Sequence, residues 1–215
     1  MSLFSLQSKN EIYISKIKEL ISRGVLTDFG GEPRQVGAGL EKFINDNFDK
    51  IIDKSDLINQ KFDLSRKSMG DIEFQDKNNN LYFIDIKTHN LDTKFNMPNL
   101  TSVVKLSNLY KIENNYFVII MIGYKIRKDK IIVQNIIISK IENLTWKSLG
   151  FGNLGNGQIQ IKNSNKIEID YNQSRNNWML ELCNLTIEFY HKVINKKEKG
   201  IVEFEKLKNY WLTKL

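Results

Sequence analysis

Cysteine is almost absent from this chain. The single Cys183 excludes an internal disulfide and a cysteine-based zinc site, and its place in a helical pattern predicts a core position. Proline is nearly as scarce. With only Pro33 and Pro98, and no repeat or long linker, nothing punctuates the 215 residues into parts, so one domain over 1–215 is expected. No apolar run approaches the roughly 18 residues that a membrane helix needs, and no signal-peptide pattern opens the chain; a soluble, cytoplasmic protein with no membrane partner is expected. Arginine is rare too, 5 of the 32 basic residues. The net charge of +7 favours a polyanionic partner. The excess of lysine and asparagine is also what AT-rich coding produces, so the lysine count by itself says little about DNA.

What is present is a compact pattern in the middle of the chain. Residues 70–73 (Gly-Asp-Ile-Glu) and 81–87 (Leu-Tyr-Phe-Ile-Asp-Ile-Lys) read as two strands joined by the polar turn at 75–80. In the second strand Tyr82, Ile84 and Ile86 share one face, and Phe83, Asp85 and Lys87 the other. If the strands pair, Asp71 comes opposite Asp85 and Lys87. Asp-x-Lys on a strand is a common solvated pattern. Here the strand is otherwise apolar, a Gly-Asp opens its partner, and Glu41 sits on an amphipathic helix upstream. The set suits metal-assisted phosphodiester hydrolysis. Asp71 and Asp85, with the Ile86 carbonyl, offer oxygen ligands to Mg²⁺, with Mn²⁺ as a substitute. Lys87 is placed to hold or help deprotonate a water and to offset transition-state charge.

The arrangement Asp71-x13-Asp85-x-Lys87 resembles the PD-(D/E)xK nuclease motif, with Gly70 in place of the usual Pro. Around it, Thr88-His89-Asn90, Met97-Pro98-Asn99-Leu100 and Lys105-Leu106 are similar to the HincII-like type II restriction endonucleases of the EcoRV-like branch. Residues 37–43, 157–161 and 174–178 continue the likeness in order, so that it spans residues 37–190. The resemblance implies an α/β fold of restriction-endonuclease type, a mixed central β-sheet flanked by α-helices. It implies Mg²⁺-dependent double-strand cleavage of a short palindromic DNA site, blunt with 5′-phosphates, by a homodimer paired with a DNA methyltransferase in a bacterial or archaeal cell. Glu41 would assist the metal or water network. Two other readings stand beside it: a repair or junction-resolving nuclease of the same superfamily, and an inactive DNA-binding protein on this fold.

The rest of the chain is read around that hairpin. Residues 9–23 form a helix with Ile12, Ile14, Ile17, Leu20 and Ile21 as its apolar stripe, packed in the core or against a second subunit; dimerisation through helices in 9–53 is one expectation. Residues 24–39 read as a loop carrying Arg34 and Gln35, either plain connection or DNA contact. A second helix is expected at 38–53. A helix at 99–111, started by Pro98, buries Leu100, Val103, Val104, Leu106 and Leu109. Asn96 and Asn99 before it are base-reading candidates by the resemblance, and helix caps otherwise. Thr88 is a further DNA-contact candidate, and His89 is read as a phosphate or backbone contact more readily than a metal ligand.

Strands at 116–124 and 131–138 are continuous β-branched runs, buried on both faces. The basic residues 125–130 turn between them. Four glycines in residues 150–157 allow close backbone approach, and no Gly-Lys-Ser/Thr follows to make a phosphate loop. The resemblance places base recognition there, at Asn153 or Asn156. A last strand is expected at 167–171, a long helix from Ser174, a stop at Gly200 and a terminal helix at 201–214.

Overall fold

The computed structural model describes residues 3–4, 7–23, 33–53, 56–61, 69–94, 96–127, 130–152 and 157–214. In chain order the first elements are α1 (Gln7–Arg23), α2 (Pro33–Asp46), α3 (Phe48–Ile51), β1 (Leu57–Lys61), β2 (Ile72–Asp76) and β3 (Leu81–Asn90). Then come β4 (Asn99–Ser102), α4 (Val103–Leu109), β5 (Asn115–Arg127), β6 (Lys130–Lys140), β7 (Leu149–Phe151), β8 (Gln158–Ile161) and α5 (Arg175–Leu212).

A five-stranded mixed sheet in the order β1-β2-β3-β5-β6 forms the centre. β3 and β5 run parallel from Leu81↔Asn115 to Asn90↔Tyr124; a parallel pair needs a crossover, here residues 91–114 with β4 and α4. β5 has the unbroken apolar sequence of a strand covered on both sides. Val118, Ile120, Ile122 and Tyr124 join Tyr82, Ile84 and Ile86 on the face that α1, α2 and α3 cover. Phe117, Ile119 and Met121 join the opposite cluster, with Leu106 of α4, Ile159 and Ile161 of β8, and Trp178 and Leu182 of α5. The mixed α/β architecture with helices on both sides of the sheet is as expected.

Several local expectations are corrected. The buried face of α1 is Asn10, Tyr13, Ile17 and Ile21, with the Asn10 amide donating to the Ile138 carbonyl at 3.1 Å. Ile12 points away from that face and is exposed. α2 begins at Pro33, not residue 38: proline suits a first helical turn, where its missing N–H costs nothing. Arg34 and Gln35 are therefore helical, not loop residues. The second helix also breaks at Asn47 into α2 and α3. The short edge strand β1, with its bulge between Ile58 and Gln60, was not expected.

Residues 99–102 are a strand rather than helix. They pair with β8, and Ser102, whose hydroxyl accepts from the Lys105 N–H, caps α4 instead. Val104 falls on the outer side of this shortened helix and is exposed. β6 is an edge strand, so only its second half is buried and Ile132 is exposed. Residues 167–171 make a single bridge, Leu144↔Ile169, and no strand. Helix α5 runs through Gly200, whose cost of about 1 kcal/mol in a helix interior is too small to stop propagation. Cys183 lies on the exposed side of α5, not in the core.

Candidate active site

The β2–β3 turn builds the site. The buried Asp76 carboxylate accepts hydrogen bonds from Asn78 N (2.8 Å), Asn80 N (3.0 Å), Asn80 Nδ2 (2.8 Å) and the Tyr82 hydroxyl (3.0 Å). Burial alone would raise its pKa; these bonds outweigh that and hold it below the ordinary carboxylate value. Asn79 takes the left-handed conformation the turn requires, at φ 60°. The turn sets the register Ile72↔Ile84. One residue beyond the strand, Asp71 N donates to the Ile84 carbonyl at 2.7 Å, and Asp71 Oδ2 accepts from Ile86 N at 2.7 Å. Asp71 is thereby held beside β3 by main-chain bonds at both ends.

Gly70 is what permits this closeness. A Cβ there would overlap the Ile84 carbonyl oxygen. The proline usual at this place in the resembled motif carries a Cβ, so the departure from the motif goes with a tighter approach of the two chains.

Asp85 is buried, with Oδ1 accepting from Lys87 Nζ at 2.7 Å and Oδ2 without a partner. Burial pushes its pKa up to about 7, against the pull of Lys87, with Asp71 and Glu41 adding to the rise. Burial would lower the Lys87 pKa, but Asp85 outweighs it, so the ammonium is held more firmly than in water. In this arrangement the Lys87 ammonium is paired with Asp85, one of the proposed metal ligands.

Glu41 arrives from α2. Gly37, one helical turn earlier, lets α2 lie against β3: a Cβ there would come within 2.8 Å of Thr88 Oγ1. Glu41 Oε1 accepts from Thr88 N at 3.2 Å and Thr88 Oγ1 at 3.0 Å. Burial raises its pKa; the Thr88 hydroxyl and Lys87 oppose the rise and Asp71 adds to it. Three carboxylates and one ammonium thus meet at the end of β2 and the middle of β3. Thr88, expected as a DNA contact, is engaged with Glu41.

The donor set fits a hard divalent cation. Asp85 Oδ2 is a buried oxygen with an unused lone pair, and Asp71 lies across from it. The Ile86 peptide faces the side of β3 on which β2 has ended, because its N–H is taken by Asp71 Oδ2 and a residue's N–H and C=O share one edge. Two carboxylates and a carbonyl, completed by water and phosphate, are what Mg²⁺ takes. Among the described residues no cluster of three or more acidic, histidine or cysteine side chains forms a ready metal cage.

The other expected residues lie apart from this group. Gln35 is exposed on the first turn of α2; the Arg34 side chain, Asn153 and Asn156 lie outside the described residues. Asn99 is exposed on β4 and its Oδ1 accepts from Gln160 Nε2 at 2.5 Å. Asn96 receives Ser164 N at 3.0 Å on its carbonyl. His89 is buried over Gly123; burial holds its pKa below the ordinary value, with Asn165 opposing, so it makes no exposed phosphate contact. In the basic segment Arg127 is engaged in a two-pronged pair with Asp92 at 2.7 and 2.9 Å. Missed in the sequence were Gly37, which admits α2, and Gln160, which holds Asn99; their signals were a glycine one turn before Glu41 and a polar residue in the alternating β8.

No protein-family model matches this chain, and no curated protein matches it.

Proposed function

We propose that this chain is a divalent-metal-dependent endonuclease acting on double-stranded DNA. The observation that carries the reading is the buried Asp85–Lys87 pair, with one carboxylate oxygen unpartnered and Asp71 bonded across it to the Ile86 N–H. A structural ion pair in a core is normally saturated with hydrogen bonds; this one keeps an oxygen free. Asp71, Asp85 and the Ile86 carbonyl hold Mg²⁺ or Mn²⁺. A bound cation polarises the scissile phosphoryl group and offsets the charge that builds on it. Lys87, paired with Asp85, is placed to donate hydrogen bonds to the attacking water and the phosphoryl oxygens. Glu41, kept in place by Thr88, modulates the field at Lys87 and Asp71.

The finer reading is a type II restriction endonuclease of the PD-(D/E)xK kind. It rests on the ordered likeness in sequence over residues 37–190. It implies a palindromic site, a blunt cut with 5′-phosphates, a two-fold dimer and a companion methyltransferase. Asn99, Asn96 and Gln35 are the described residues proposed to face the DNA.

The test is a digest of two unrelated phage DNAs by purified protein, with and without Mg²⁺, beside Lys87→Ala. Discrete fragments from the wild type with Mg²⁺ only, and retained DNA binding without cleavage by Lys87→Ala, are expected. A Mg²⁺-dependent smear leaves a nuclease and removes the restriction reading. Cleavage at wild-type rate by Lys87→Ala removes the mechanism.

A further inference from the structure

Helix α5 carries two apolar stripes, and only one meets the rest of the protein. The inner stripe begins with Trp178 and Leu182, both buried, and continues through the half-buried Leu185 and Phe189. The outer stripe starts at Leu180 and repeats every seven residues through Ile187, Ile194 and Ile201. Cys183, Tyr190, Phe204 and Trp211 fall three residues after positions 180, 187, 201 and 208, the second position of a heptad seam; Lys197, three after Ile194, and Lys208, seven after Ile201, are its charged positions. The stripe is open to water: Leu180 is 65%, Ile187 57%, Ile194 52%, Ile201 59%, Phe204 73% and Trp211 61% exposed. Beyond Tyr190 no described segment covers the helix, and a side chain at Gly200 would meet nothing within 4 Å.

We infer that α5 is the dimerisation element of this protein, pairing along residues 180–211 with α5 of a second copy as a two-stranded coiled coil. The occupant follows from three features. A heptad repeat with β-branched Ile at three of its five first positions (Ile187, Ile194 and Ile201) is the kind of seam along which like helices pair. The amount of surface is right: at about 200 Å² for a whole large apolar side chain, the exposed fractions leave roughly 800 Å² per chain, what one partner brings to a stable interface. The positions beside the seam carry little charge, with Glu198 and Glu205 on one side and Met179, Thr186, Val193, Gly200 and Leu207 on the other, so a like helix meets few charges there. Lys197 and Lys208 within the seam penalise shifted registers. On α1, by comparison, the buried face packs on its own sheet and Ile12 is its exposed large apolar residue.

The inference does not need the nuclease reading, and its test measures mass rather than cleavage. Sedimentation velocity of the full chain at tens of micromolar is expected to give twice 25.2 kDa. The double variant Ile201→Asp/Phe204→Asp is expected to sediment as a single chain, with an unchanged melting transition for the body, which those residues do not touch. Lys196→Asp, off the seam, is expected to remain a dimer. A monomeric wild type, a mass of three or more chains, or a dimer that survives the double substitution overturns the inference.

Discussion

Asp85 gives one oxygen to Lys87 Nζ at 2.7 Å and keeps the other, buried and without a partner, beside Asp71. That half-satisfied carboxylate gives the fold a pH-dependent contribution to stability. Its folded pKa of about 7 lies above the unfolded value near 4, so the folded state holds the extra proton. The stability it contributes is complete below about pH 4, falls as pH rises toward 7 and is gone above that; the full change is on the order of 4 kcal/mol. Urea unfolding of wild type and Asp85→Asn across pH 4–8 is expected to show this slope in the difference between the two. Parallel curves would mean that Asp85 is not buried as described.

The proposed divalent cation would relieve the same cost. Mg²⁺ is expected to raise the thermal midpoint of the wild type above pH 7, by the equivalent of about 2.7 kcal/mol at a hundredfold excess over its dissociation constant. Asp71→Ala and Asp85→Asn are expected to lose the effect. Calorimetry without DNA reads it, and an equal shift in all three proteins would assign the ion elsewhere.

Gly70→Ala places a methyl group against the Ile84 carbonyl and must move Asp71 away from Ile86. We expect a drop in stability of 1–3 kcal/mol, as for other overpacked positions, and at least a tenfold weaker response to Mg²⁺. Unchanged Mg²⁺ stabilisation in a folded Gly70→Ala protein would show that the close approach is not what positions Asp71.

Away from the site, Arg175 pairs with the buried Glu142 at 3.0 Å through its guanidinium, which also lies over the rings of Tyr110 and Tyr116. Glu142 further accepts from the Tyr110 hydroxyl. This joins the start of α5 to the body. Arg175→Ala leaves a buried charge with less compensation and is expected to cost about 3–5 kcal/mol in chemical denaturation. A loss under 1 kcal/mol would place the anchor in Trp178 packing alone.

The hairpin, its polar turn and the faces of β3 and β5 were legible because the period-two alternation and turn residues are local signals that tertiary contacts did not override. The same locality made the boundaries err. Gly200 and Pro33 are ambiguous in one dimension, and whether a helix stops or starts there depends on its neighbours. Cys183, Ile12 and Val104 look alike to a periodicity count whichever way the helix is turned.

The sequence by itself determined the apolar strands and the acidic pair with its lysine, since each depends on spacing along the chain. Only the tertiary structure decided that Glu41 and Thr88 meet, that Asp71 bonds to the Ile86 N–H and that half of α5 stands free. Those depend on backbones approaching closely at Gly37 and Gly70 and on which surfaces the folded body has room to cover, and neither is encoded in any single stretch.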